Sequence, residues 1–179
     1  MSAHLLVVVS GLAASGKTTV GRLLSEQLSL PLLDKDAILE ALFDSLGCND
    51  RDQRYRLSRA SDEVLYSLAR ASGTAVLVNW WNHDTAPARL RALSSSLVEV
   101  FCDCPVDIAA ARFAARRRHR GHLDRLRTAE EHEDGIRRMR ETFRGPLGLS
   151  EPVITVDTSG ALDTELVVER VRAAIAVEA

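Results

Sequence analysis

A three-layer α/β fold, five parallel strands with helices on both faces, is the fold class this 179-residue sequence predicts. Three observations lead there. Short apolar runs alternate with longer amphipathic stretches from end to end, the pattern of strand–helix–strand crossovers. The composition, 46% hydrophobic and 27% charged, suits a folded chain rather than a disordered one. The apolar runs are strand-sized, too short to span a membrane.

In order, residues 5–10 are continuously apolar and read as a strand buried on both faces. Residues 17–28 follow as a helix with Val20, Leu23, Leu24 and Leu28 on one side. A second short strand is expected at 30–33, then a helix at 37–46 ended by Gly47 and a longer helix at 52–71 closed by Ser72 and Gly73. Strand three is placed at 74–78, a helix core at 87–94, and strand four at 97–102. Pro105 suits the first turn of a helix at 106–118. The strongly charged stretch 116–134 interrupts the alternation, although a helix is predicted over 129–142. A fifth strand at 152–156 and a closing helix at 164–177 complete the chain, with no repeat, linker or second domain. The expectation is therefore one domain over 1–179, with a lid at about 113–130.

Charge and cysteine content narrow the function. Twenty-three basic residues against 25 acidic ones leave a net charge of −2, which disfavours a long nucleic-acid partner while allowing a local basic patch. Cys48, Cys102 and Cys104 are an odd number. The chain starts Met1-Ser2-Ala3-His4 and runs straight into an apolar segment without a basic stretch, so an export signal is not expected. Reduced thiols and a cytoplasmic location are expected, with Cys102 and Cys104 sharing one strand face. Lys17 and Lys35 are the only lysines.

Gly11-Leu-Ala-Ala-Ser15-Gly16-Lys17-Thr18 fits the phosphate-loop pattern G-x-x-x-x-G-K-[ST] in full, between a predicted strand and a predicted helix. Glycines let the backbone curl so that successive N–H groups point at phosphate oxygens, and the helix N-terminus adds its positive dipole end. A P-loop nucleotide site is expected from Gly11, Ala13, Ala14, Ser15, Gly16, Lys17, Thr18 and Thr19, with ATP and Mg²⁺ as cofactors. Lys17 would reach the β- and γ-phosphates, and the Thr18 hydroxyl would ligate the metal.

Strand two ends in Asp34-Lys35-Asp36, at the sheet edge where ligands of open parallel sheets bind. Asp36 is the candidate general base for an acceptor hydroxyl and a second metal ligand, though its position also suits capping the next helix. Asp34 has the weaker claim to catalysis; with Lys35 it is assigned to the acceptor side.

The phosphate loop, together with Leu33-Asp-Lys-Asp36-Ala-Ile-Leu-Glu-Ala-Leu-Phe43, resembles the small P-loop kinases. That group includes chloramphenicol phosphotransferase, zeta toxins, polynucleotide kinase and kinase-like bacterial proteins called AAA family ATPases. Further matching segments are Val100-Phe-Cys-Asp-Cys-Pro105, Arg112, Arg116, Arg118-His-Arg-Gly-His122-Leu-Asp124 and Val153-Ile-Thr-Val-Asp157-Thr-Ser. The resemblance implies that Asp36 is the general base and that adenine sits by the loop after strand five. It also implies an acidic residue after strand three, where this chain has Asn79.

Arg112, Arg116 and Arg120 are spaced by four and are expected on one helix face; the alternative is a solvated face paired with Glu130, Glu131, Glu133 and Asp134. On the lid reading, Arg116 and Arg120 stabilise the transferring phosphoryl, and Arg112 either binds nucleotide or forms a structural pair. Trp80 and Trp81 follow strand three; Trp81 and His83 are assigned to the acceptor side, against packing under the neighbouring helix. His119, His122 and His132 lack metal-site spacing. Together these residues predict an ATP- and Mg²⁺-dependent phosphotransferase acting on a small-molecule hydroxyl, as monomer or homodimer and away from membranes. Nucleotide or polynucleotide 5′-kinase is the alternative, and a nucleotide-dependent switch ATPase the second.

Overall fold

The computed structural model describes residues 4–123 and 128–178. In chain order these form β1 (Leu5–Gly11), α1 (Lys17–Leu28), β2 (Leu32–Asp34), α2 (Lys35–Leu46), α3 (Arg51–Ser72), β3 (Thr74–Val78) and α4 (Ala86–Arg91). There follow β4 (Ser96–Asp103), α5 (Val106–Ala115), a 3₁₀ turn at Arg120–His122, α6 (Ala129–Thr142), β5 (Ile154–Asp157) and α7 (Thr164–Glu178). The five strands form one sheet in the order β2-β3-β1-β4-β5, every neighbouring pair parallel. The predicted fold class is the observed one.

Strand periodicity explains the layers. Val7 and Val9 join Val76, Val78, Val98, Val100 and Val156 on one face, packed against Val20 and Leu24 of α1 and Val167, Val168 and Val171 of α7. Leu6, Val8, Ala75, Leu77 and Leu97 point the other way, onto Leu65, Tyr66 and Ala69 of α3 and Leu90 of α4. Each such buried Val or Leu contributes about 1.5–3 kcal/mol, so the sheet is the main source of stability. Gly21 lets α1 approach β3: a Cβ there would lie 2.4 Å from Val78 Cγ2.

β4 carries one carboxyl group through the core. Glu99 is fully buried. Its carboxylate accepts hydrogen bonds from Ser10 Oγ at 2.6 Å and from the backbone N–H groups of Leu147 at 2.7 Å and Leu149 at 3.0 Å. It thereby ties the segment after α6 to the strand that delivers the phosphate loop.

Several boundaries differ from the sequence expectation. β2 starts at Leu32 and includes Asp34, and α2 starts at Lys35 rather than at 37. Asp34 is therefore the cap, its carboxylate accepting from the Asp36 N–H at 2.9 Å, and Asp36 sits in the first turn. α4 ends at Arg91, well before the expected 94. β4 ends at Asp103, so Cys104 lies beyond the strand; Cys102 and Cys104 fall in separate core clusters rather than on one face. All three thiols are free and buried. Most consequential, α5 stops at Ala115, and Arg116 is extended at φ −73, ψ 140, so Arg112, Arg116 and Arg120 do not share a helix face.

After α5 the chain folds onto α2. Arg120 pairs with Asp44 at 3.1 Å, His122 Nε2 lies 3.0 Å from Glu40 Oε1, and Leu123 joins Leu39, Phe43 and Leu57 in a small core cluster. Within the expected lid, residues 124–127, including Asp124 and Arg127, lie outside the described residues.

Candidate functional site

β1 lies between β3 and β4, so chain direction across the sheet reverses where its carboxyl end meets the following loop, the place where open parallel sheets bind ligands. A cavity of about 860 Å³ opens there. The phosphate loop forms its floor with Ala13, Ala14, Gly16, Lys17, Thr18 and Thr19. Gly16 holds φ 94 and Ala14 φ 61, left-handed values that curl the loop before α1 begins. Ser15, wholly buried, lies beneath with its Oγ unpartnered among the described residues. Gly11 closes β1 and sits outside the large cavity.

Lys17 folds back so that Nζ donates to the Leu12 carbonyl. Burial lowers its pKa from 10.5 to about 8. Thr18 Oγ1 donates to Asp34 Oδ2 at 3.2 Å. Burial raises the Asp34 pKa, opposed by the hydrogen bonds from the Asp36 backbone and Thr18. The strand register accounts for the pairing: Asp34 is level with Val78, and Val78 with Val9, so β2 ends beside the loop leaving β1. Asp36 lines the same cavity. The carboxylate against Thr18 is thus Asp34, whereas sequence reasoning named Asp36 as the carboxylate sharing the metal with Thr18.

Lys35 is buried, donates from Nζ to Ser58 Oγ at 2.8 Å, and has its pKa lowered by burial. Asn79, the neutral residue after β3, donates from Nδ2 to Asp62 Oδ1 at 3.0 Å. Arg54, Ser58 and Asp62 of α3 all line the cavity. Sequence reasoning missed them. Their spacing of four along a helix whose buried residues include Leu57, Leu65 and Tyr66 is the signal that marks a polar stripe beside the core face.

The two tryptophans separate. Trp81 is buried, donates from Nε1 to the Val9 carbonyl at 2.9 Å, and meets Tyr66 edge to face at 6.3 Å. It is a core residue, which corrects its acceptor-side assignment; a buried indole N–H needs a partner, and the carbonyl near the end of the central strand β1 supplies it. Trp80 lines the cavity instead, and His83 stands outside it.

Among the arginines, Arg116 and Arg118 line the cavity. Arg120 does not: its side chain is 65% exposed, its guanidinium held by Asp44 and over the Phe43 ring. The reason is the turn at Arg120–His122, which follows the end of α5 and is held on α2 through Asp44 and Glu40. Arg112 reaches the cavity wall but donates to the carbonyls of Thr158 at 2.7 Å and Ser159 at 2.9 Å, fixing the loop after β5. On α6, Glu131 pairs with Arg51 of α3 and Asp134 with Arg137. Among the described residues, no group of three or more His, Cys, Asp or Glu could hold a metal by itself.

A left-handed phosphate loop opening onto a cavity that also holds carboxylates and arginines, at the switch point of this sheet order, defines a nucleotide-binding P-loop kinase of the small class. The chain belongs to the AAA domain family, which matches residues 6–146. It is 31% identical to a shikimate kinase of Ruegeria pomeroyi over 97% of this chain and 86% of that one. The crystal structure of a candidate kinase from Chloroflexus aurantiacus superimposes with TM-score 0.80 at 28% identity, covering 94% of this chain and 97% of that one. A shikimate kinase from Acinetobacter baumannii in complex with shikimate shares the fold at TM-score 0.63 and 19% identity, over 97% and 94% of the two chains. No described helix is long and apolar enough to cross a membrane.

Proposed function

We propose that this kinase transfers the γ-phosphoryl group of ATP to a hydroxyl of a small organic molecule, with Asp36 as general base. The observation that carries the reading is the presence of Asp36 in one cavity with Lys17 and Thr18 of the phosphate loop. The acceptor hydroxyl loses its proton to Asp36 as its oxygen bonds to phosphorus, and the bond to the departing ADP oxygen breaks. Lys17 and the amides of residues 13–18 neutralise the phosphate tail, and Arg116 and Arg118 carry the charge that builds on the transferring group.

The donor set fits Mg²⁺. The Thr18 hydroxyl and the Asp34 carboxylate, already 3.2 Å apart, are hard oxygen donors, and Mg²⁺ in such sites is completed by phosphates and water rather than by a protein cage. When bound, the ion would neutralise phosphate charge. Asp34 and Thr18 would hold it, leaving Asp36 to the acceptor. Asn79 brings no charge itself but orients Asp62.

Relatedness to a shikimate kinase over nearly the whole chain supports a small organic acceptor. The test is ADP release across sugars, cyclitols, nucleosides, antibiotics and short oligonucleotides. Phosphorylation of a small molecule is expected, with Asp36→Asn lowering kcat by roughly 10²–10⁴-fold while ATP still binds. Lys17→Ala should remove ATP binding. A full-rate Asp36→Asn enzyme would take that residue out of its role.

A further inference from the structure

We infer that Glu40 and His122 are positioning residues for phosphoryl transfer: their pairing fastens the strap of residues 116–123 to α2 and so fixes where Arg116 and Arg118 stand at the cavity. The inference rests on the phosphotransfer reading above and adds what holds the two arginines in place.

The strap leaves its helix early. α5 ends at Ala115 and Arg116 is extended, so the helical hydrogen-bond ladder does not reach Arg118. Two anchors take its place. At the near end, Phe113 lines the cavity and offers its ring to both guanidinium groups, with Arg116 Cζ 4.6 Å and Arg118 Cζ 5.0 Å from the centroid. At the far end, Gly121 lies against Phe43, where a Cβ would come within 2.9 Å of Cγ, and Leu123 joins the cluster of Leu39, Phe43 and Leu57. Between Gly121 and Leu123, His122 is buried with Nε2 3.0 Å from Glu40 Oε1.

The Glu40 contact is the one with most to lose. A carboxylate only accepts, so Nε2 carries the proton, and burial lowers the His122 pKa, which leaves the ring neutral at pH 7. Nδ1 is buried and has no partner among the described residues, so the polar anchorage of the ring there rests on Glu40. Asp44, itself exposed, holds Arg120 and His119, and such surface pairs contribute little. Glu40 also stands one helical turn from Asp36 on α2, and the charges of Asp36 and Arg118 both bear on the imidazole. One hydrogen bond therefore sets the arginine-bearing strap against the helix that carries the base.

The experiment compares the binding of ADP, Mg²⁺ and aluminium fluoride, a mimic of the transferring phosphoryl group, with that of ADP and Mg²⁺ alone, by calorimetry. Each variant is first checked for its folding transition. Glu40→Ala should weaken the mimic by roughly tenfold while ADP affinity stays within about twofold. Glu40→Gln, whose amide oxygen accepts the same N–H, should keep most of the affinity. His122→Phe, which keeps a ring and no N–H, should match Glu40→Ala, and Asp44→Ala should bind as wild type. In protein already carrying Arg116→Ala and Arg118→Ala, adding Glu40→Ala should cost nothing further, because no arginine is left to position. Three results would overturn the inference: full affinity for the mimic in Glu40→Ala, an equal loss of ADP affinity, or the same loss repeated without the arginines. If removing both arginines weakens the mimic and Glu40→Ala does not, the inference alone falls. If removing them leaves the mimic bound as in wild type, the charge role given to them in phosphoryl transfer fails as well.

Discussion

Lys17 shows how burial sets the chemistry of a single group. Its ammonium lies under the loop with its pKa lowered to about 8, so the free protein loses that charge as the pH rises through this value. A bound triphosphate favours the ammonium, and nucleotide affinity should therefore weaken above about pH 8, as calorimetric titration at pH 7 and pH 9 would show. The effect on stability has the opposite sign. Between about pH 8 and the ordinary value of 10.5 the unfolded chain binds more protons at this group, so its contribution to stability rises with pH across that window. Cys102 obeys the same physics from the acid side, its thiol pushed up to about 12 chiefly by burial. It should resist alkylation at pH 8 in the native protein and react once unfolded, which peptide mass mapping would reveal.

At the scale of elements, what matters is where each one starts and stops. Moving the start of α2 back to Lys35 makes Asp34 its cap and brings that carboxylate to Thr18, while Asp36 is left on the first turn facing the cavity. Stopping α5 at Ala115 sends Arg116 and Arg118 to the cavity and Arg120 to α2. Glu99 links three further pieces: β1, β4 and the segment after α6. Glu99→Ala would orphan the buried Ser10 hydroxyl and two part-buried backbone donors, Leu147 and Leu149, at about 1–3 kcal/mol each, so a loss of several kcal/mol is expected in urea denaturation. A variant that unfolds at the wild-type urea midpoint would mean that water satisfies those groups. Gly21→Ala should cost roughly 1–3 kcal/mol, because the added methyl meets Val78 where α1 and β3 have no room to part.

For the whole molecule, the cavity gathers residues from the phosphate loop, α2, α3, β3, α5, α6 and the loop after β5. A ligand that bridges so many elements should stabilise them together. A nucleotide at a hundred times its Kd should add about 2.7 kcal/mol and raise the melting temperature of wild type but not of Lys17→Ala, which thermal denaturation would measure.

The sequence by itself determined the alternation of strands and helices, the five parallel strands and the phosphate loop. Each is written in local spacing: periods of two and 3.6 residues, and glycines where the backbone must turn left-handed. The acidic pair after strand two was legible for the same reason, since a strand end in this fold is also a site edge. What only the tertiary structure decided was which side chain meets which. Asp34 rather than Asp36 touches Thr18; Trp81 enters the core while its neighbour Trp80 borders the cavity; Arg120 leaves the site; and the Arg54, Ser58 and Asp62 stripe of α3 enters it. A helix boundary shifted by two residues rotates a side chain by about half a turn, and contacts between residues far apart in the chain depend on that rotation more than on any local pattern.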